Sequence, residues 1–190
     1  MINMNQLPKQ TAKIFETLSR GIFISSNSNE SETHELYDVI DKNFDPLYDY
    51  FISINFNLER GNEYFYFSRP ENKADIERKL EQTYKWIDIL DFFKAYNSAF
   101  GPGAKLSPTA IVEQCKVNAE LKAKLEGLRK YTGEDSLTQR MRKLMELLKK
   151  DGFVELESEL LETWKVLSSI HYLENLIQLI NIPIENETAQ

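Results

Sequence analysis

The side chains most able to do chemistry in this sequence are five cations in one short stretch: Arg140, Arg142, Lys143, Lys149 and Lys150. Guanidinium and ammonium groups clustered in this way contact phosphate oxygens, which makes these five the candidate DNA-binding residues. The apolar residues among them, Leu137, Met141, Leu144, Leu147 and Leu148, recur three or four apart and so define the other face of one helix. A charged helix face is also the ordinary way for a helix to meet water, and that reading stays open beside the first. Three aromatic residues on β-prone runs, Tyr64, Tyr66 and Trp164, are the candidate partner-binding anchors, because such rings combine a large apolar body with a polar tip. The alternative for each ring is a place in the core.

Catalytic chemistry finds no comparable set. His34 and His171 are far apart, and no HExxH, Cys/His cluster or Ser-His-Asp context accompanies them. The stretch Gly101 to Ser107, GPGAKLS, has a passing likeness to a phosphate loop. It lacks the GxxxxGK[ST] spacing and follows a helical pattern, whereas a phosphate loop follows a strand. Cys115 is the single cysteine, and beside Ile111 and Val112 at helical spacing it reads as a small buried side chain. The expectation is a protein that is not an enzyme and holds neither a metal nor a cofactor.

The elements that must position the cations and rings follow from the change of period after Lys150. Asp151-Gly152 ends the helix, since glycine accepts the left-handed backbone of a helix C-terminus. A β-prone run from Phe153 to Leu156, an acidic turn and a second run from Trp164 to Leu167 come next. Helix, glycine, strand, loop, strand is the order of a winged helix, and it makes 136–151 the third helix, the one that grips something in most such domains.

The same order occurs earlier. Ile14, Phe15 and Leu18 mark a helix, Ile22 to Ile24 a short strand, and Ser25 to Glu32 a polar loop with Ser31 or Thr33 to cap the next helix. That second helix carries Leu36, Tyr37 and Ile40, and Asp45-Pro46 opens a third carrying Leu47, Tyr50 and Phe51. Phe56 to Phe67 is a hairpin turning at Glu59-Arg60-Gly61-Asn62, with Gly61 the residue that most easily takes a positive φ. After a break at 68–72, Ile76, Leu80, Tyr84, Ile87, Leu90 and Phe93 define a helix from Ala74 to Tyr96, roughly 35 Å long at about 1.5 Å per residue. Ser98 to Leu106 reads as a linker. Ser107-Pro108 and Asn118 then cap two helices, and Ile170, Leu173, Leu176 and Ile177 mark the last one.

The fold class expected is therefore mainly α within the α+β class: tandem winged-helix domains, each of helices plus a small β-hairpin wing, joined by a long helix. The N-terminal domain spans 1–70, the connecting helix and linker 71–106, the C-terminal domain 107–182 and a tail 183–190. A length of 190 residues with 42% apolar content is enough for such cores. No run of about 18 or more apolar residues is present, and the opening residues lack the order of a signal peptide, so a cytoplasmic protein without a membrane partner is expected.

The net charge of -7 argues against indiscriminate coating of nucleic acid, but it is unevenly laid out. Lys116 to Lys150 holds 10 Lys and Arg against 5 Asp and Glu, while Asp151 to Gln190 holds 1 against 8. A basic patch of this kind attracts phosphate only at short range, since salt screens the interaction beyond roughly 8 Å.

Four passages carry a likeness to a known group: GNEYFYFSRPENKAD after the first hairpin, TYKWIDILDFF, KDGFVELES, and WKVLSSIHYLENLIQL. Through them, from Gln6 to Ile182, the chain resembles the condensin-associated MksE/MukE proteins, a kleisin-interacting tandem winged-helix group. The resemblance implies a non-enzymatic subunit that forms a homodimer and binds a kleisin of the MksF/MukF-like kind. Through the kleisin it would serve an SMC ATPase of the MksB/MukB-like kind, which would hold the ATP site that this chain lacks. It further implies action on DNA at the nucleoid, in DNA condensation and chromosome organisation and segregation, or in defence against plasmids. The group has no short motif for partner contacts, so the site residues remain those named above. The rival is a stand-alone winged-helix transcription regulator binding duplex DNA sequence-specifically through 136–150. The charge of -7 favours the subunit, because phosphate neutralisation supplies much of a free regulator's affinity.

Overall fold

The computed structural model describes residues 7–69 and 73–180. The expected tail 183–190, the break at 70–72 and the side chain of Ile76 lie outside the described residues. The first half runs α1 (Thr11–Ser19), β1 (Ile24–Ser25), α2 (Ser31–Lys42), α3 (Phe44–Ile52), β2 (Asn57–Arg60) and β3 (Tyr64–Ser68). The second runs α4 (Lys73–Tyr96), β4 (Lys105–Leu106), α5 (Pro108–Val117), α6 (Ala119–Gly127), α7 (Arg129–Thr132), α8 (Leu137–Lys150), β5 (Val154–Ser158), β6 (Thr163–Val166) and α9 (Ile170–Ile180).

Each half is a winged-helix-like unit with a three-stranded antiparallel sheet, ordered β1-β3-β2 in the first and β4-β6-β5 in the second. In both, a two-residue strand that precedes the second helix pairs with the last strand of the hairpin: Ile24 faces Phe65, and Leu106 faces Trp164. The expected linker thus contains β4. Two residues carry no periodic signal, which is why that strand is invisible in the sequence. With β4 in place, α4 stands in the second unit where α1 stands in the first. Trp86, Ile89, Leu90, Phe92 and Phe93 of α4 accordingly share one core with Phe100, Leu106, Ile111, Leu144 and Met145. A separate core in the first unit gathers Ile14, Leu18, Ile40, Leu47, Phe51 and Phe65.

Local chemistry sets the boundaries. Ser107 Oγ accepts from the Ala110 N–H at 3.4 Å, and Asn118 Oδ1 from the Leu121 N–H at 3.0 Å, so both expected caps form. Neither Ser31 nor Thr33 caps α2; its N-cap residue is Glu30, whose N–H donates to Ser28 Oγ at 3.2 Å. Helix α3 starts one residue before Asp45 because Asn43 serves two helices. Its N–H closes α2 on the Val39 and Ile40 carbonyls, and its carbonyl accepts the first α3 bond from Leu47.

Gly152 has φ 77°, the left-handed end expected of α8. The first hairpin differs from expectation. Arg60 still pairs with Phe65, and the positive φ of 63° falls on Glu63. Gly61 is required for another reason: a Cβ there would overlap the ring of Tyr64.

The two units are clasped together. Strand β3 turns Phe65 and Phe67 towards the first core and Tyr64 and Tyr66 towards the second unit. There Phe23 lies 5.4 Å from Phe153 and 5.1 Å from Tyr172, ring centre to ring centre, and Tyr66 lies 5.1 Å from Tyr172. The loop 27–29 adds polar bonds. Asn27 Nδ2 donates to the Val166 carbonyl at 3.1 Å, and its Oδ1 accepts from the Ser168 N–H at 2.8 Å. The Glu155 carboxylate accepts from Ser28 Oγ at 2.8 Å and the Asn29 N–H at 2.6 Å, with Lys165 Nζ 3.9 Å away.

Candidate partner and nucleic-acid interface

Helix α8 does not present all five of its cations. Arg140 is 3% exposed, and its guanidinium is spent on backbone carbonyls. Nη2 donates to Glu134 O at 2.6 Å and Asp135 O at 3.0 Å, Nε to Glu134 O at 3.1 Å, and Nη1 to Leu125 O at 3.4 Å. Leu125 lies in the last turn of α6; its carbonyl also accepts from the Leu128 N–H at 3.2 Å, and the guanidinium adds a second, longer bond to it, while the Glu134 and Asp135 carbonyls take the shorter ones. Arg140 is therefore a structural residue closed to phosphate. The sign of this in the sequence is its spacing: three after Leu137 and four before Leu144, position 140 belongs to the apolar arc.

The other four are on the surface. Arg142 Nη2 is 3.6 Å from Glu162, and Lys143 Nζ is 2.9 Å from Glu146 one turn away. Both pairs are exposed and so hold the side chains only weakly. Lys149 Nζ lies 5.9 Å from the centre of the Trp164 ring, and Lys150 is exposed.

The three aromatic candidates divide in the same way. Tyr64 is 2% exposed, wedged in the junction between the units, and so is not available as an anchor for a partner. Burial, with a smaller contribution from neighbouring Tyr66, pushes its phenol up to about 12, against the effect of a hydrogen bond with Asn175. Tyr66 is half-buried, and burial raises its phenol as well. One edge of it lines a hollow of about 500 Å³ with Phe23, Phe56 and Tyr172. Trp164 is half-buried and lines a different space, a groove of about 370 Å³ between α8 and the second wing.

Met145, Leu156 and Trp164 form the apolar part of this groove, and Arg142, Glu146, Glu159 and Glu162 its charged rim. Beside it the wing tip carries Leu160 and Leu161, 92% and 69% exposed. In the sequence these residues are no more than an acidic turn; two adjacent leucines within it are the signal that could have marked it.

His171 and Cys115 are engaged in structure, while His34 is exposed on α2. His171 Nδ1 and Lys94 Nζ each lie 2.9 Å from the Glu174 carboxylate. Burial works against ionisation of Glu174, but those two hydrogen bonds outweigh it and hold the carboxyl below the usual carboxylate range. Cys115 is buried, and burial pushes its thiol up, away from nucleophilic reactivity. Among the described residues no group of three or more His, Cys, Asp or Glu is placed to hold a metal ion, and no helix is long and apolar enough to cross a membrane.

Fold and site together define a tandem winged-helix-like protein whose surface features are a partly paired cationic helix and an acid-rimmed groove, both in the second unit. The model of the family described as condensin complex protein MksE matches residues 9–177, nearly the whole of both units, and the chain belongs to that family. Comparison with curated proteins gave no match.

Proposed function

We propose that the chain is a non-enzymatic accessory subunit of a condensin-like SMC complex, working in the cytoplasm at the nucleoid. It binds a kleisin of the MksF/MukF-like kind and through it serves an MksB/MukB-like SMC ATPase. The role is in chromosome organisation and segregation or in defence against plasmids. The observation that carries this reading is the MksE family match across both winged-helix-like units. The geometry supports it: the clasp at 27–29 holds the units in one frame, as suits a part that presents a fixed surface to an assembly. Exposed apolar side chains, Leu80 and Tyr84 on α4 and Ile52 and Ile54 at the end of α3 and just beyond it, supply surface for pairing with a second copy. Arg142, Lys143, Lys149 and Lys150 add phosphate contacts that are weak and strongly salt-dependent, so DNA is held mainly by the assembled complex.

The test is affinity purification of the tagged chain from its native lysate, treated with nuclease, followed by mass spectrometry. Co-purification of a kleisin and a long coiled-coil ATPase is expected. A chain that emerges alone, yet binds one particular duplex tightly at physiological salt, would overturn the reading.

A further inference from the structure

We propose, resting on the reading of α8 as a phosphate-contacting helix, that Glu162 in the turn before β6 competes with DNA phosphate for Arg142 and so restrains that contact in the free chain.

The side of α8 that meets the wing is self-neutralised. Arg142, Glu146 and Lys149 follow one another at steps of four and three residues and so share one face, with Lys150 one step further round the helix. The cations Arg142, Lys143 and Lys149 stand there against the carboxylates Glu146, Glu159 and Glu162, which leaves a duplex no net positive charge to approach on that side. Lys143 finds its acid on its own helix, Glu146 at 2.9 Å, whereas Arg142 finds its acid on the wing, Glu162 at 3.6 Å. With Arg140 turned inward, Arg142 is the one guanidinium that α8 keeps on the surface. A guanidinium is also the group best shaped to grip a phosphate with two parallel bonds, so what occupies Arg142 matters most.

Exposed ion pairs are weak in part because two long side chains must be held in one geometry. Here one partner is already held. Glu162 has φ 46°, a left-handed backbone that residues with a Cβ adopt at a cost, and its N–H closes the turn on the Glu159 carbonyl at 3.3 Å. Its Oε2 accepts from Thr109 Oγ1 at 3.3 Å, in the first turn of α5, where the positive end of a helix favours an anion. Steadied in this way, the carboxylate presents Oε1 to Arg142. A phosphate arriving from solution must displace it, while a phosphate on a duplex already held by the rest of an assembly does so at a much higher effective concentration.

The experiment is a fluorescence-anisotropy titration of a short labelled DNA duplex with the full-length chain in about 0.1 M salt, where charges more than about 10 Å apart are largely screened. Glu162→Gln keeps the side chain's shape and removes its charge. It is expected to tighten binding about two- to fivefold and to steepen the salt dependence by about one released counterion. Glu162→Gly removes the side chain and relieves the positive φ, and the same gain is expected from it. Asp49→Asn, an exposed site in the first unit with the same change in net charge, is expected to stay within about 1.5-fold of wild type. In an Arg142→Ala background the gain from Glu162→Gln is expected to fall to the size given by Asp49→Asn. An undiminished gain in that background, or a gain in the wild-type background no larger than that of Asp49→Asn, would overturn the proposal. The two readings fail separately. Duplex binding that Lys149→Ala weakens and Glu162→Gln leaves unmoved keeps α8 as the DNA contact and removes the restraint. A duplex bound by neither wild type nor Glu162→Gln removes both, and leaves the kleisin to be decided by the purification.

Discussion

Replacing Arg140 by Ala is expected to unfold the second unit under conditions that leave wild type intact. The guanidinium, 3% exposed, makes four hydrogen bonds to three carbonyls; removal leaves Leu125 O with its bond from the Leu128 N–H and strands the other two, those of Glu134 and Asp135. Each stranded acceptor costs about 1–3 kcal/mol; water entering the vacated space relieves part of this, so a total of about 2–4 kcal/mol is expected. With a urea dependence of about 1–3 kcal/mol per molar, the midpoint moves down by one to a few molar. Trp86 and Trp164 both lie in the second unit, so tryptophan fluorescence in a urea series reads the right part of the molecule. Lys150→Ala on the exposed face is the comparison and is expected to stay within about 0.5 kcal/mol of wild type. If Arg140→Ala matched Lys150→Ala in stability while losing affinity for DNA, Arg140 would be a ligand of phosphate and the account of α8 would be wrong.

Three further expectations concern the clasp, the first hairpin and the acid limb of stability. Asn27→Ala removes both of its bonds to the second unit and should cost about 1–3 kcal/mol, with faster hydrogen exchange at the Ser168 amide; unchanged protection there would show that the loop does not hold the units. Gly61→Ala forces the Tyr64 ring aside, which should destabilise by about 1–3 kcal/mol and bring its phenol down towards the ordinary value. In wild type, where that phenol is pushed up to about 12, its stability share is full below the ordinary value of about 10 and is lost as pH rises through the folded value; an alkaline absorbance titration follows it. Glu174 has the opposite sign. Its carboxyl is held low, so its share is present above about 4.3 and is lost as pH falls through the folded value, and Glu174→Gln should flatten the acid limb of a thermal-melt series.

The winged-helix order was legible because its signals are local. Ser107 and Asn118 announce α5 and α6, the leucine spacing and Gly152 bound α8, and the β-prone runs around Gly61 mark the first hairpin. What was illegible depends on contacts between distant residues. Strand β4, two residues long, exists only because β6 offers it an edge, whereas the apolar run from Ile22 to Ile24 already marked β1. Arg140 reads as one of five similar cations until the carbonyls of a preceding helix and loop are brought beside it. Tyr64 and Tyr66 alternate correctly to the outer face of their sheet, but that face is covered by the second unit, and no local pattern says so. The groove has the same origin: Glu159 and Glu162 are an acidic turn in sequence and become a rim only when α8 lies alongside.

The central claim, that this MksE-family chain works by joining a kleisin, is tested most directly by lysine cross-linking and mass spectrometry on the nuclease-treated native assembly. Cross-links from Lys143, Lys149 or Lys105, which lie around the second wing, to a kleisin subunit are predicted. Cross-links only within the chain or to a second copy, in a preparation where the kleisin is present, would contradict it.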